Sequence, residues 1–443
     1  MKIQLSDHFN YKKLFKFTLP SVIMMLFISI YGVVDGLFVA NFVGSNSLSS
    51  INIVLPMFIV VGAFGFMLGT GGGAEVSRTL GEGQREKANQ YFTMIIITII
   101  AAGIILSILC ISFIKPICCF LGASDLLIKD CITYGIILSL GMTAFMLQTA
   151  FQTFFIVSGK PNLGLALTVA AGIANMILDF VFIYILKMGV AGAAIATVIG
   201  YIIGGILPFI YFLFPNKSLL KLVKPKLYTK ILLHSCANGS SEMLSNISMS
   251  ITTFLYNWQM MRLAGEDGVA AITVIMYVNF IFISVLIGFS IGTAPIIGYN
   301  YGSGNIAELK NIFRKSIIVV GVVSVIMFIL AEITAVPAVS IFVGKENFLS
   351  EITISGFRLY SLSFLICGLN IFGSSFFTAL CNGKISASIS FLRTLLLQAG
   401  LIIALPFLIG INGVWLSVVI SELLTSVVTI LFFITKRKKY QYA

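Results

Sequence analysis

Apolar stretches of about twenty residues recur along the whole chain, separated by short polar or glycine-bearing turns. The runs are continuous and do not alternate every second residue, so they read as helices and not as barrel strands. A run of this length crosses the roughly 30 Å hydrocarbon core of a bilayer as an α-helix. The pattern predicts twelve spans, near 16–41, 51–75, 91–114, 131–156, 163–186, 190–214, 232–260, 269–297, 315–336, 353–379, 386–407 and 411–434. The first apolar run, Phe17 to Val43, is too long for the core of a signal peptide and lacks a small-residue cleavage site.

The longest polar interruption, Phe214 to Lys230, falls near the middle and divides the spans six and six. Leu80-Gly-Glu-Gly-Gln84 matches Tyr301-Gly-Ser-Gly-Asn305, Gly189-Val-Ala-Gly192 matches Gly410-Ile-Asn-Gly413, and Ser158-Gly-Lys160 matches Asn382-Gly-Lys384. These matches keep one order and nearly one offset, 221 to 224 residues. The expected architecture is therefore all-α, with an amino-terminal lobe (1–214), a linker (215–230) and a carboxy-terminal lobe (231–443). Six is an even number, so the lobes share orientation and their pseudo-two-fold axis lies along the membrane normal. Parallel repeats of this kind place a cargo path at their interface.

Composition agrees with a lipid environment. Hydrophobic residues make up 58% of the 443 and charged residues 10%, against roughly 25% charged in a soluble domain. The net charge is +12, and only Lys115, Lys129, Lys187, Arg262, Lys345 and Arg358 of the 28 basic residues fall on the side away from the termini. By the positive-inside rule both termini are expected in the cytoplasm, in a multi-pass protein of the inner (cytoplasmic) membrane. No basic face with interleaved aromatics points to nucleic acid. The seven cysteines form no CxxC pair and read as packing residues, and two histidines, His8 and His234, do not make a metal cluster. No catalytic set such as HExxH is present, so an enzyme is not expected, and no cofactor or metal is implied.

Acids inside spans carry the functional signal. Asp35, Asp179, Glu242 and Glu422 lie well within apolar runs, where a charge costs about 2.5–3.5 kcal/mol on insertion scales. Each must face a cavity or a partner, or carry a proton. Asn175 and Asp179 are four apart, on one face of span 5. At 1.5 Å per residue Asp35 lies roughly 28 Å and Asp179 roughly 24 Å from the inner ends of their spans, at similar depth. Two such carboxyls can share a proton, and with neutral oxygens nearby can take sodium. Glu75 and Glu332 sit near span ends and read as interfacial. Pro20, early in span 1, removes a helical hydrogen bond and is expected to kink it.

Leu19-Pro20, Val34-Asp35-Gly36, Ser77-Arg78-Thr-Leu-Gly81-Glu-Gly, Asn175-Met-Ile-Leu-Asp179 and Pro295-Ile-Ile-Gly-Tyr-Asn-Tyr-Gly302 together resemble the MATE (multidrug and toxic compound extrusion) family, over about residues 11–435 and in the flavour of its MepA-like bacterial branch. The resemblance implies antiport of cationic or amphipathic compounds against H+ or Na+, by two lobes rocking around a cleft. It assigns the coupling-ion network to Asp35, Tyr134, Gln152, Asn175, Asp179 and Thr197, and the kink to Pro20. Gln152 departs from the asparagine of archaeal members. Glu242 resembles a carboxy-lobe acid of sodium-coupled members, whose second acid has no counterpart between Arg358 and Thr378. Met24, Phe154, Tyr256 and Met276 are the candidate cargo contacts. The expected partners are a small amphipathic or cationic molecule and the bilayer, with the monomer as working unit. The rival reading is a lipid or lipid-linked oligosaccharide flippase of the same wider superfamily. A flippase needs cavity cations, and Arg393 is the main base within a span.

Overall fold

The computed structural model describes residues 3–43, 45–342 and 348–443, so Lys2 and Lys345 lie outside it. All regular secondary structure among the described residues is helical. In order, α1 is Tyr11–Phe42, α2 Ser45–Gly81, α3 Arg85–Phe120, α4 Ile128–Leu140, α5 Met142–Val157, α6 Pro161–Asp179 and α7 Gly189–Leu213. They are followed by α8 Thr229–Gly302, α9 Ile306–Phe342, α10 Phe348–Ser361, α11 Phe364–Ala379, α12 Gly383–Ser390, α13 Gln398–Ala404, α14 Pro406–Ile409 and α15 Ile411–Tyr440. Two π turns, Phe180–Ile185 and Phe391–Leu397, extend α6 and join α12 to α13.

Nine helices among the described residues are long and apolar enough to span a membrane. Two bent pairs, α4 with α5 (54°) and α10 with α11 (51°), raise this to eleven. The twelfth pass comes from α8. Its 74 residues would stretch about 110 Å as one helix, but the backbone leaves helical geometry at Gly265 (φ 63°, ψ −146°). A Cβ on Gly268 would stand 2.6 Å from the Met260 carbonyl oxygen, so the chain doubles back there. The same device recurs at Gly410-Ile-Asn-Gly413: Gly410 has φ 60°, and a Cβ on Gly413 would stand 2.6 Å from the Leu405 oxygen. Each first glycine supplies a backbone shape open almost only to glycine, and each second one lets the helices touch at the turn.

The repeat is visible in these specials. Gly83 (φ 77°) and Gly304 (φ 67°) match, as do Gly189 (φ 59°) and Gly410 (φ 60°), both pairs 221 residues apart. The third sequence match shifts by two. The backbone partner of Gly159 (φ 73°) is Cys381 (φ 56°), 222 residues on, and not Gly383. A cysteine standing in left-handed geometry hid that equivalence from a search for glycines.

Two apolar cores form. One draws on residues from Ile51 to Leu220, the other mainly on residues from Tyr256 to Tyr442. The second core also takes Leu5, Phe9, Leu14 and Phe17, so the chain's start, expected in the amino-terminal lobe, docks on the opposite half. Polar bonds hold it there: Asn300 donates to the Leu5 carbonyl (3.3 Å), the Phe9 N–H to Glu308 (2.9 Å), and Lys315 to the Phe9 carbonyl (2.7 Å). The mid-chain linker is a strap on α3. Lys221 N–H donates to Asn89, Val223 N–H to Thr93 (both 3.0 Å), and Arg85 to the Ser218 carbonyl (2.9 Å). Outward faces are greasy: Ile104, Ile105 and Ile108 on α3, and Val322, Ile326 and Ile329 on α9, are all exposed. Contiguous apolar surface of this extent belongs against lipid.

Candidate functional site

Five helices converge on Asp35 and Asp179. Asp35 comes from α1, Tyr134 from α4, Gln148 from α5, Asn175 and Asp179 from α6, and Thr197 and Tyr201 from α7. Small residues permit the convergence. A Cβ on Gly172 would strike the Phe27 ring of α1, and one on Gly200 would lie 3.3 Å from Asn175 Cβ. The α-helical pattern of α6 stops at Asp179, where the π turn begins. Wide turns of this kind gather at functional sites because they re-aim side chains.

The two carboxyls face one another, with Tyr31, Tyr134 and Tyr201 around them. Asp179 is fully enclosed, and Asn175 and Tyr134 are buried. Beside the pair lies a small cavity lined by Tyr31, Gln148, Thr168, Asn175, Thr197 and Tyr201, with Ala171 and Gly200 in its walls. Its polar atoms are unusually idle. Among the described residues Asp35 Oδ1, both Asp179 carboxyl oxygens, Asn175 Nδ2 and Gln148 Oε1 are buried without a hydrogen-bond partner. Folded proteins pair more than nine in ten such groups, so these atoms are free of protein partners and available to a proton, a cation or water. A cation or a proton satisfies facing acceptors that have no donor between them.

The expected network is thus brought together, with one exchange and two additions. Gln148, not Gln152, lines the cavity; Gln152 is one helical turn further along α5. Tyr31 and Tyr201 were absent from the expected set, although Tyr31 lies four residues before Asp35 and Tyr201 four after Thr197. That i,i+4 spacing is the signal that would have found them. Pro20 lies inside α1, which continues as helix through it.

The carboxy-half acids differ in kind. Glu422 is held by its neighbours: Arg393 Nε donates to it at 2.7 Å, Asn370 Nδ2 at 2.7 Å, and Thr429 in turn donates to Asn370 at 2.8 Å. Glu242 instead lines a cavity between the halves with Thr70, Ser77 and Thr153 on one side and Ser375 and Thr378 on the other. Of the candidate cargo contacts, Phe154 is enclosed in the first core against Phe92 (ring centroids 4.8 Å apart). Tyr256 is enclosed in the second core and shares a hydrogen bond with Ser417 (3.1 Å). Met24 is buried, and Met276 packs half-buried on the second core. Rings and thioethers of this size fill cores before they line clefts, and nothing in the sequence separates the two uses.

The end of the bundle that carries both termini is sealed between the halves by backbone contact. A Cβ on Gly71 or Gly239 would run into the opposite helix at Ser235 or Met67, and one on Gly81 or Gly302 into Tyr299 or Arg78. Buried Glu75 of α2 bonds His234 of α8 across the same seam (2.5 Å).

The sequence matches the MatE family over residues 20–181 and 243–403, one match in each half. The multidrug export protein MepA of Staphylococcus haemolyticus (strain JCSC1435) is 26% identical over 366 residues, covering 81% of this chain and 80% of its own length. MepA of Staphylococcus aureus (strain MRSA252) is 25% identical over 430 residues, 95% of this chain and 93% of its own. A MATE crystallised with MaL6 superposes with a TM-score of 0.93 at 22% identity, over 98% of both chains. An outward-facing multidrug resistance MATE family transporter of the MOP superfamily gives 0.92 at 22%, over 100% and 99%.

Proposed function

Because the chain belongs to the MatE family, we propose that it is a multidrug efflux transporter that exchanges cationic or amphipathic organic cargo for protons, with sodium as the second choice of ion. The observation that carries the reading is the close facing of the two buried carboxyls of Asp35 and Asp179, where no other described side chain bonds Asp35 Oδ1 or either Asp179 oxygen. A buried pair of acceptors in that state holds a proton or a cation, and releases it when the cavity opens to a compartment poor in it. On this reading the lysine-rich terminal end faces the cytoplasm, the ion enters from the other side, and its binding biases which way the halves open. The names of the MepA relatives, multidrug export proteins, support the cargo class.

The test is ethidium transport in proteoliposomes with proton and sodium gradients imposed separately. Transport driven by protons alone supports the carboxyl pair as proton carrier. Transport only with sodium makes the pair, or Glu242, a metal-ion ligand. Absence of transport under both gradients refutes the antiport reading and brings forward the flippase, whose headgroup-binding base would have to be Arg393.

A further inference from the structure

The cavity beside Asp179 has counterparts of its lining residues in the second half, and there they are bonded to one another. Equivalent positions follow from the backbone markers. Through α11 and α12 the offset is 222, fixed by Gly159 with Cys381 and by the helix ends Val157 with Ala379. In α15 it is 221, fixed by Gly189 with Gly410. Asn370 is then the equivalent of Gln148, Arg393 of Ala171 (or of its neighbour Gly172), and Glu422 of Tyr201. All four first-half residues line the cavity beside Asp179. Two of the second-half residues bond to the third, Arg393 Nε to Glu422 Oε1 (2.7 Å) and Asn370 Nδ2 to Glu422 Oε2 (2.7 Å), and a fourth, Ser421, donates to the Arg393 carbonyl (2.8 Å). Where the first half leaves space with alanine and glycine, the second inserts a guanidinium. The orphan count agrees. Gln148 Oε1 and Asn175 Nδ2 lack partners, whereas no polar side-chain atom of Asn370, Arg393 or Glu422 is a buried orphan.

We propose that the second half retains a cation site built on the plan of the first, and that the chain's own Arg393 is its permanent occupant. The site's ligand class is a planar monovalent cation with several N–H donors. Glu422 supplies the acceptor and is itself held by Asn370 Nδ2, and Glu242 of α8, Tyr360 of α10 and Cys367 of α11 are the remaining titratable groups near the guanidinium. Side-chain exposure of Arg393 is 18% and of Glu422 4%, so the guanidinium is largely covered over a carboxylate that is buried. A tethered cation does not exchange. If the antiport reading above holds, the Glu422 site therefore takes no part in ion exchange, which is left to Asp35 and Asp179 or to Glu242.

The experiment removes the occupant and offers it back. Arg393→Gly opens a hole over an unpaired Glu422, and thermal unfolding of the purified full chain is followed while guanidinium chloride is raised to about 20 mM. The expected result is a lowered Tm that rises by several degrees, saturably, with guanidinium but not with choline chloride of equal ionic strength. Wild type and Arg393→Gly/Glu422→Gln should show no such rise. A flat response in Arg393→Gly, or an equal one in the Glu422→Gln background, overturns the proposal. If Arg393→Gly yields no folded protein, the reciprocal variant Ala171→Arg decides. It should fold, and its Tm should no longer respond to the proton or sodium concentration that shifts wild type. A wild-type response there also overturns the proposal. Neither titration involves transport, so a failure of ethidium export would sink the antiport reading and leave this one to stand or fall separately.

Discussion

The seam at the terminal end predicts that one methyl group will turn the transporter. At Gly239 an added Cβ runs into the Met67 carbonyl of α2, and Gly71 lies against Ser235 and Gly239 in the same contact. The obstructing atoms are backbone, which cannot rotate away, so α2 and α8 must part. Inserting a methyl into a packed seam costs about 1–3 kcal/mol. The penalty exists only while the seam is shut, because the two helices belong to different halves and separate in any state open at this end. A differential of that size shifts a two-state equilibrium about 5- to 150-fold. The assay is labelling of a single cysteine, Ser77→Cys, in a background freed of the seven native cysteines. Ser77 lines the cavity within the seam and is fully buried when it is shut. Gly239→Ala should raise its rate of reaction with a membrane-impermeant maleimide added at the terminal end by that factor. The control is Gly400→Ala, where an added Cβ meets nothing within 4 Å. An unchanged rate in Gly239→Ala with normal membrane insertion, or an equal rise in Gly400→Ala, would refute the argument.

Further outcomes follow from the same contacts. Asp179→Asn should abolish ethidium efflux at equal expression while leaving insertion and fold intact; wild-type resistance in that variant removes the pair from the mechanism. Arg393→Leu should lose about 3–5 kcal/mol by stranding Glu422, whereas Arg393→Leu/Glu422→Leu should recover most of it, read as Tm of the purified protein; equal losses in both would contradict the ion-pair assignment. Gly265→Ala and Gly410→Ala should each lose about 1–3 kcal/mol through their positive φ, read as Tm of the purified protein, and the double variant should depart from additivity because Arg262 of one turn stacks on Phe407 of the other (4.9 Å).

The helices were legible because hydrophobic length alone dictates a span, and the six-plus-six organisation because glycine turns mark it. The four intramembrane acids were legible for the same reason, since a charge in an apolar run stands out. What the sequence withheld was pairing. Glu242 and Glu422 look alike as letters, yet Glu422 is ion-paired by Arg393 and bonded by Asn370 while Glu242 faces a cavity. The exchange of Gln152 for Gln148 has a similar origin. Both amides lie on α5, one turn apart, and only the packing of α5 against α7, where a Cβ on Gly204 would meet Gln148, says which one reaches the cavity. The docking of residues 5–17 on the far half was invisible too, because Leu5 and Phe9 carry no sign of which core will bury them.

That docking bears on how an ion at one place can act at another. Helix α1 is anchored at its start in the second core, through Leu5, Phe9 and Phe17. It then runs along α8: an added Cβ on Gly292 would lie 3.1 Å from Thr18, one on Gly288 2.6 Å from Val22, and the Ser29 hydroxyl lies 3.4 Å from that of Ser284. Further along, Asp35 turns away from that partner to meet Asp179 of the first half. One helix thus has its foot in one half and its charge in the other. On the antiport reading, neutralising Asp35 removes the repulsion between the two carboxyls and changes the force on α1 at the far end of a lever held in the second half. Loops need carry none of this force, since the linker is strapped to α3 and stays with the first half. The route from ion to seam is then α1 to α8 to α2, a chain of direct helix contacts. The glycines at 288, 292, 239 and 71 set its joints, because bulkier residues there would hold α1, α8 and α2 too far apart to feel one another.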